Sequence, residues 1–243
     1  MRIGILGSGL MGGKLGTIFA RAGHEVVFSY ARTRQKLEKL ARDAIPTTGR
    51  VRHRQVGAQH AAPLQSLPRT GTPAFPRAGT PAEAAHDADA LLLAVHWSRV
   101  DDVLKQTGAV AGKVIITCSL PMNADDTALV IAHTSSGAEE LAKKVPNARV
   151  VSAFGTVPSE VLFDVFQARR KANKPSLVYC GDDSRAKKTA AELIRDVGFE
   201  PVDAGPLRIA RYTEPFTLLI AQLAYEGKDG PELAYRFQRF GKT

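Results

Sequence analysis

The chain has 243 residues, of which 44% are hydrophobic and 23% charged, a composition typical of a globular protein with an apolar core. No apolar run is long enough to cross a bilayer and the first residues do not form a secretory signal, so we expect a cytoplasmic protein without a membrane partner. The net charge of +9 comes without a nucleic-acid recognition motif, so it favours small ligands with phosphates or carboxylates over nucleic acid.

Short apolar runs rich in Val, Ile and Leu alternate along the chain with helical patterns. In chain order, the predicted strands are RIGIL, EVVFS, ALLLAV, KVIITC, RVVSAF, PSLVYC and EPVDA. Apolar residues spaced three to four apart predict helices over residues 10–21, 33–43, 98–105, 138–144 and 184–196. This alternation is typical of parallel strands joined by helical crossovers. It predicts an α/β fold of the Rossmann type, with a doubly wound, mainly parallel sheet.

Cys118 and Cys180 end two of the predicted strands. They lie far apart in apolar runs, which predicts two free, buried thiols in a reducing compartment rather than a disulfide. Neither cysteine has the spacing of a metal-ligand motif, so no metal site is expected.

Residues 45–78 interrupt the alternation of strands and helices. They contain five of the fourteen prolines and lack any hydrophobic period. No acidic residue occurs from Ala44 to Ala82, whereas five arginines do. We predict a low-complexity surface insertion here. The functional alternative is a basic lid over a ligand that carries phosphate.

The predicted organisation is a core over residues 1–205, which includes the insertion, and a small C-terminal helical lobe over residues 206–243. The lobe would contain an apolar helix over 209–225 and a second, amphipathic helix over 231–240. The first of these helices would either cap the sheet or pack against a second subunit. A homodimer or higher homo-oligomer is therefore one expectation.

A glycine-rich turn follows the first predicted strand and opens the first helix. Its first glycine, Gly7, permits a tight turn, Gly9 lets a pyrophosphate approach the backbone, and Gly12 lets the helix pack closely on the strand. The pyrophosphate would lie on the free N–H groups of the helix start. This G-x-G-x-x-G pattern in a strand-turn-helix setting predicts a dinucleotide site. The six residues are Gly7, Ser8, Gly9, Leu10, Met11 and Gly12.

The end of the second predicted strand indicates which dinucleotide binds. A site that prefers NAD carries an acidic side chain there, but residues 29–36 contain no carboxylate. Arg32 can form paired hydrogen bonds to a 2′-phosphate, and Lys36 can add charge. Ser29 and Thr33 can donate hydroxyl hydrogen bonds. We therefore predict NADP(H), the alternative being an ordinary basic helix start.

His96 follows the strand ALLLAV, where the nicotinamide half of a dinucleotide usually runs. It is a candidate cofactor neighbour and a candidate general acid. A single histidine at a strand end more often makes structural hydrogen bonds, so both interpretations stay open.

The sequence resembles the family of NADP oxidoreductases that depend on coenzyme F420, a 5-deazaflavin. The resemblance extends beyond the glycine turn to three further segments in the family's order. These are Ser152-Ala153-Phe154-Gly155-Thr156-Val157-Pro158, Cys180-Gly181-Asp182-Asp183 and Asp203-Ala204-Gly205-Pro206-Leu207, which is followed by Arg211 and Glu214.

The resemblance implies a homo-oligomeric enzyme that transfers hydride between NADP(H) and the deazaflavin, a small-molecule co-substrate. It also implies contacts to the pyrophosphate, to the 2′-phosphate and to the nicotinamide. These are Ser8, Gly9, Leu10 and Met11; then Ala31, Arg32 and Lys36; then Val95 and Ala153. The candidate substrate residues are Gly155 and Thr156. At Gly155 related chains commonly carry Asn or His, so this turn departs from the family, as does the insertion.

Two other functions fit the same residues. One is an NADP(H)-dependent reductase of another acceptor, such as an imine, a flavin or a ferric chelate. The other is a non-catalytic NADP(H) redox sensor. Beyond His96 the sequence offers no acid-base pair, which suits hydride transfer between two ring systems because the cofactors carry the difficult chemistry.

Overall fold

The computed structural model describes residues 1–45 and 75–241. Within these residues eight strands form one sheet in the order β3-β2-β1-β4-β5-β6-β7-β8. The strands are β1 (Arg2–Leu6), β2 (Glu25–Ser29), β3 (Arg77–Ala78), β4 (Ala90–Leu93), β5 (Val114–Thr117), β6 (Arg149–Ser152), β7 (Ser176–Gly181) and β8 (Glu200–Asp203). The predicted α/β, Rossmann-type sheet is confirmed.

Eight α-helices flank this sheet in the described ranges. They are α1 (Leu10–Arg21), α2 (Arg34–Ala44), α3 (Pro81–Ala85), α4 (Val100–Thr107), α5 (Gly137–Lys144), α6 (Leu162–Gln167), α7 (Ser184–Val197) and α8 (Ala210–Ala221). Short 3₁₀ turns, Trp97–Arg99 and Leu207–Ile209, precede α4 and α8, and a π-helical turn, Gln222–Glu226, continues α8. No helix in the described part of the chain has both the length and the apolar character needed to span a membrane.

Both faces of the sheet are buried, because successive side chains of a strand point to opposite faces. Ile3, Ile5 and Leu92 belong to a core with apolar residues of α1, α2 and α7. Leu91 and Leu93 belong to a second core with residues of α3, α4 and α5. This double burial explains why the strands read as continuous apolar runs.

The direction of two strands differs from the parallel arrangement that the sequence pattern suggested. Strands β1 to β6 run parallel to one another. Strand β7 pairs antiparallel with β6, and β8 pairs parallel with β7. The sheet is therefore mainly parallel. Apolar runs buried on both faces do not reveal strand direction, since their composition is the same either way.

Three short elements were not predicted from the sequence: β3, α3 and α6. Strand β3 pairs with Val27 and Phe28, so the last two residues of the predicted 45–78 insertion belong to the sheet. Residues 46–74 of that insertion lie outside the described residues. Helix α3 has a capping box, in which Thr80 and Glu83 exchange hydrogen bonds, but five residues are too few to show a helical period.

The second predicted helix of the C-terminal lobe, over residues 231–240, is wrong. This segment is irregular and runs beside β7, where Ser176 N donates to Tyr235 O at 2.8 Å and Phe237 N donates to Ser176 Oγ at 2.9 Å. The Tyr235 ring packs edge-on against Phe216 and Phe237. Backbone groups of this segment thus bond to Ser176 at the start of β7, and the apolar spacing reflects that packing rather than a helix.

Candidate functional site

The candidate site lies at the carboxyl edge of the parallel strands. The sheet order reverses direction at β1, since β2 lies on one side of it and β4 on the other. In open α/β sheets this switch point forms the crevice where ligands bind. The glycine turn, the end of β4 and the end of β6 all reach this edge, so the fold brings these predicted site segments to one side of the sheet.

The glycine turn is shaped by two close backbone contacts. Gly7 has a φ of 109°, and a Cβ on it would lie 2.4 Å from the carbonyl oxygen of Ala94. A Cβ on Gly12 would lie 1.8 Å from the carbonyl oxygen of Gly7. Around Gly9, in contrast, there is no atom within 4 Å of the Cβ position in the described structure. Gly7 and Gly12 are therefore required by packing, whereas Gly9 leaves open space at the helix start.

Helix α1 begins with Gly9 as its N-cap, so no side chain caps its first turn. No acidic side chain lies in that turn either. Leu10 is exposed and Met11 is partly exposed. An uncapped helix start carries free N–H groups and the positive end of the helix dipole, a suitable place for an anion.

Ser8 and Ser29 tie this turn to β2. Ser8 Oγ donates to Ser29 O at 2.9 Å, and Ser29 Oγ donates to Ile5 O at 2.7 Å. Ser29 is 0% exposed. Its hydroxyl is used inside the fold, so the expectation that Ser29 donates to a 2′-phosphate is corrected: in this structure it supports the turn.

The corner between β2 and α2 carries the remaining predicted phosphate residues. Ser8 N donates to Tyr30 O at 3.2 Å, which places this corner next to the glycine turn. Ala31 is partly exposed, while Arg32, Thr33 and Lys36 are exposed.

Thr33 is the N-cap of α2, and its Oγ1 accepts from the backbone N–H of Lys36 at 3.3 Å. In the described part of the chain, neither Arg32 nor Lys36 forms an ion pair, whereas Arg34 pairs with Glu38 at 3.1 Å. The corner thus presents two positive side chains that have no acidic partner there.

Tyr30 was not predicted as a site residue, although it follows directly after Ser29, the last residue of β2, and precedes Ala31. Its φ of 56° is uncommon for a residue other than glycine. The Tyr30 hydroxyl donates to Asp102 on α4. Burial, followed by the bond to Asp102, raises the pKa of Tyr30 to about 12. Tyr30 therefore stays neutral and fastens the end of β2 to α4.

Val95 and His96 continue from β4 at the same edge. Val95 N donates to Ser119 Oγ at 3.2 Å, and the Val95 side chain lies beside the Cβ position of Gly7. His96 Nε2 lies 3.2 Å from Asn123 O, and Ser98 N lies 3.2 Å from His96 Nδ1. Asp126 Oδ1 also lies 3.2 Å from His96 Nε2, so both ring nitrogens have partners within the fold. This favours the structural interpretation of His96, which holds the loop after β5 against the end of β4.

The segment after β6 brings together the other predicted residues. Ala153 N donates to Thr117 O at 3.0 Å, and Thr156 is buried with its Oγ1 2.7 Å from the Tyr235 hydroxyl. A Cβ on Gly155 would make only ordinary contacts, at 3.7 Å from Cys118 O and from Leu120. The backbone therefore does not require glycine at this position. Without a side chain, the turn leaves free volume beside Cys118.

A small pocket of about 10 Å³, room for about one water molecule, opens at this turn. Its walls come from β6, β7, the turn, α8 and the segment after β5, and they are rich in hydroxyl groups. The lining residues are Leu120, Ser152, Ala153, Gly155, Thr156, Val178, Thr213, Glu214 and Thr217. The predicted nicotinamide neighbour Ala153 and the predicted substrate residues thus share one pocket, and the glycine turn is not part of its lining.

Three residues of α8 in this pocket, Thr213, Glu214 and Thr217, were not predicted as site residues. Glu214 is 3% exposed, and its carboxylate oxygens accept from Gly137 N at 2.8 Å and from Ala138 N at 3.0 Å. Burial raises the pKa of Glu214 to about 7. The sequence signals for it were its place after the Asp203–Leu207 segment of the family resemblance and its position in an apolar helical pattern, neither of which assigned it to the site.

The two cysteines are free, as predicted. Cys180 is buried, whereas Cys118 is partly exposed at the end of β5. Burial raises the pKa of each thiol to about 12, so neither is an activated nucleophile.

Residues 2–121 match the family described as NADP oxidoreductase, coenzyme F420-dependent. Among curated proteins, metalloreductase STEAP3 of Rattus norvegicus is 30% identical over 136 residues, which are 56% of this chain and 26% of that protein. Metalloreductase STEAP2 of Homo sapiens is 26% identical over 147 residues, 58% of this chain and 28% of that protein. The chain therefore spans about a quarter of the length of these curated relatives.

Solved structures share the fold over nearly the whole chain. A proposed F420-dependent NADP reductase from Arthrobacter sp. FB24 superposes with a TM-score of 0.75 and 20% identity, covering 98% of this chain and 100% of that one. A reductive aminase from Aspergillus terreus, in complex with NADPH and ethyl-5-oxohexanoate, has a TM-score of 0.59 and 15% identity. The superposition covers 90% of this chain and 60% of that one. At these identities the likeness establishes the fold.

The glycine turn, the basic corner and the family match agree over the N-terminal part of the chain. Residues 2–121, just under half of the chain, therefore match the family of coenzyme F420-dependent NADP oxidoreductases, which confirms the resemblance and agrees with the expectation of an NADP-dependent oxidoreductase.

Proposed function

We propose that this protein transfers hydride between NADP(H) and a deazaflavin, coenzyme F420. The observation that carries the proposal is the pair of exposed cations, Arg32 and Lys36, beside an uncapped, glycine-opened helix start in a chain that matches this family. That arrangement offers one anion site for a pyrophosphate and a second for a 2′-phosphate.

The pyrophosphate would be held by the start of α1. Gly9 leaves the space for its approach, and the backbone N–H groups of Leu10 and Met11 would donate to it. Ser8 supports this turn from below through its bond to Ser29 O. These contacts do not distinguish the two nicotinamide dinucleotides, because both carry the same pyrophosphate.

The adenosine 2′-phosphate would be held by Arg32 and Lys36, with Thr33 as a further hydroxyl donor and Ala31 lining the site. Arg32 has no acidic partner among the described residues, so binding a phosphate would break no ion pair of the folded protein. The segment also lacks the carboxylate that would accept from a ribose hydroxyl and repel a phosphate. Both features favour NADP(H) over NAD(H).

The nicotinamide would run along the carboxyl edge past Val95 and His96 towards Ala153. When bound, NADPH supplies a hydride, and the acceptor must present its ring within contact of the nicotinamide. The chain's own contribution is to orient the two rings and exclude water. His96, with both ring nitrogens engaged, is a cofactor neighbour in this proposal rather than an acid.

The deazaflavin is proposed as the acceptor because the family is described by that coenzyme. Its binding end would be the pocket beside Gly155 and Thr156, next to Ala153. A second candidate acceptor is a metal chelate, since the relative at 30% identity is a metalloreductase. Imines and flavins, and a non-catalytic sensor role, remain outcomes of the experiment below.

A cytoplasmic, homo-oligomeric enzyme is part of the proposal. Apolar side chains on α8 and its π-helical extension are exposed, which supports a contact with a second subunit. The residues concerned are Tyr212, Leu219, Leu223 and Tyr225. The division into a core over 1–205 and a lobe over 206–243 is likewise proposed.

The acceptor is tested by following NADPH absorbance with purified protein and oxidised F420. We expect NADPH loss that depends on F420, with little loss when ferric citrate, FMN or pyrroline carboxylate replaces it. Turnover with ferric citrate alone would replace the proposed function with a metalloreductase. Tight NADPH binding without turnover by any acceptor would favour a sensor.

The role of the glycine turn is tested by two alanine substitutions. Gly9→Ala should leave the free energy of unfolding within about 0.5 kcal/mol of the parent, because its Cβ meets no atom. It should weaken NADPH binding by about tenfold, or roughly 1.4 kcal/mol, because the Cβ fills the space for the pyrophosphate. Calorimetric titration and urea unfolding measure the two effects.

Gly12→Ala is the matched control, and it should change the free energy of unfolding rather than the affinity for NADPH. Its Cβ collides with the Gly7 carbonyl, so the free energy of unfolding should fall by roughly 1–3 kcal/mol. If Gly9→Ala binds NADPH like the parent, the pyrophosphate does not lie at this turn.

The role of Arg32 is tested by Arg32→Ala. Loss of a charged hydrogen bond to the 2′-phosphate should weaken NADPH binding by roughly 1.5–3 kcal/mol and leave NADH binding nearly unchanged. Arg34→Ala removes one positive charge two residues away, from a side chain paired with Glu38, and should affect neither. Equal losses for NADPH and NADH in Arg32→Ala would contradict the assignment.

A further inference from the structure

Glu214 is a buried acid whose role is not explained by binding of the dinucleotide. It lies in the first half of α8, and both of its carboxylate oxygens accept hydrogen bonds from the backbone at the start of α5. Those two N–H groups, of Gly137 and Ala138, belong to the first turn of that helix. Glu214 thus joins the C-terminal helix to the core through two hydrogen bonds at the start of α5.

A second contact between the same two helices surrounds this anchor. Arg211, one turn before Glu214, donates two hydrogen bonds to the Glu139 carboxylate, at 2.7 and 2.8 Å. Ser136 caps α5 by accepting from Glu139 N at 3.1 Å. The pairing of α8 with α5 is therefore set by direction-specific bonds rather than by apolar packing alone.

The anchor also borders the pocket at the predicted substrate turn. Thr213 and Thr217, which flank Glu214 on α8, line that pocket together with Gly155 and Thr156. Because Thr213 and Thr217 lie within one turn of Glu214 on the same helix, a shift of this part of α8 moves their hydroxyls relative to the turn after β6.

We propose that Glu214 is a positioning residue for the acceptor: it sets α8 on α5 and thereby fixes the α8 wall of the pocket beside Gly155 and Thr156. The proposal rests on the proposed function in one respect only, namely that the acceptor binds at this pocket. It does not depend on which acceptor binds.

Docking of α8 on α5 is coupled to protonation of the Glu214 carboxyl group. Burial outweighs its two backbone hydrogen bonds and raises its pKa from 4.5 to about 7, so the docked helix binds a proton more tightly than a released one. Docking of α8 is therefore most favourable at low pH and becomes less favourable as the pH rises through about 7. The charged or titratable groups that face Glu214 are Glu139, which is held by Arg211, and the Cys180 thiol on β7.

The test compares Michaelis constants for the acceptor and for NADPH at pH 6 and pH 8. In the wild type, the KM for F420 should rise by about threefold or more from pH 6 to pH 8, with the KM for NADPH nearly unchanged. Glu214→Gln cannot ionise, so its KM for F420 should be the same at pH 6 and pH 8, although its amide can accept only one of the two backbone hydrogen bonds. Glu214→Ala removes the anchor and should raise the KM for F420 about tenfold.

Glu140→Gln is the matched control. It removes a carboxylate of the same helix, α5, that bonds to Ser135 and Lys143 rather than to α8, and it leaves Glu214 and Glu139 in place, so the wild-type pH dependence should persist. The proposal is overturned if Glu214→Gln keeps that pH dependence, or if Glu214→Ala raises both Michaelis constants equally. Should Glu214→Ala not fold, the Gln variant decides alone.

Hydrogen exchange separates this proposal from the proposed function. Without any acceptor, and after correction for the intrinsic pH dependence of exchange, residues 136–140 and 210–217 should exchange faster at pH 8 than at pH 6 in the wild type only. If F420 is not reduced but this linkage is seen, the acceptor is wrong and the Glu214 anchor stands. Equal corrected exchange in the wild type and Glu214→Gln would overturn the anchor itself.

Discussion

The close approach of α1 to the first strand is the constraint on which the rest of the site depends. Gly12 packs so tightly on the Gly7 carbonyl that a single added carbon would lie 1.8 Å from it. Gly7 in turn lies against the backbone of Ala94, at the end of β4. This packing aims an uncapped helix start at the crevice between β1 and β4. The β2 corner then falls beside it through the backbone bond from Ser8 to Tyr30. The proposed pyrophosphate site and the proposed 2′-phosphate site therefore lie next to each other.

The pocket beside the turn after β6 is built by contacts between distant segments rather than by local backbone geometry. There the walls come from the turn after β6 and from α8, and the latter is held by hydrogen-bonded and charged contacts to α5. The C-terminal segment adds the Tyr235 hydroxyl, which bonds to Thr156 and accepts from Val178 N. The proposed dinucleotide end is therefore built from local sequence, whereas the proposed acceptor end is assembled from segments distant in the chain.

That contrast explains how much could be predicted from the sequence. Helix α1 was predicted with its observed limits, and the glycine turn and Arg32 corner were found, because each depends on residues within a few positions of one another. The helix over 231–240 was wrong because the spacing of Ala234, Tyr235 and Phe237 comes from packing on a distant strand. Glu214 was missed as a pocket residue for the same reason: its partners at Gly137 and Ala138 are more than seventy residues away. Ser29 shows the reverse error: the sequence predicted a hydroxyl available to a ligand, but in the fold this hydroxyl is buried and donates to Ile5 O.

The central claim is that NADP(H) lies along the carboxyl edge, from the glycine turn to the end of β4. Trp97, the single tryptophan of the chain, follows His96 at that end and reports on a nicotinamide placed there. The measurement is tryptophan fluorescence during titration with NADPH and, separately, NADH. We expect saturable quenching of the Trp97 fluorescence, with energy transfer to NADPH. NADH should bind at least about tenfold more weakly, a difference of roughly 1.4 kcal/mol. Absence of saturable quenching, or equal affinity for the two dinucleotides, would contradict it.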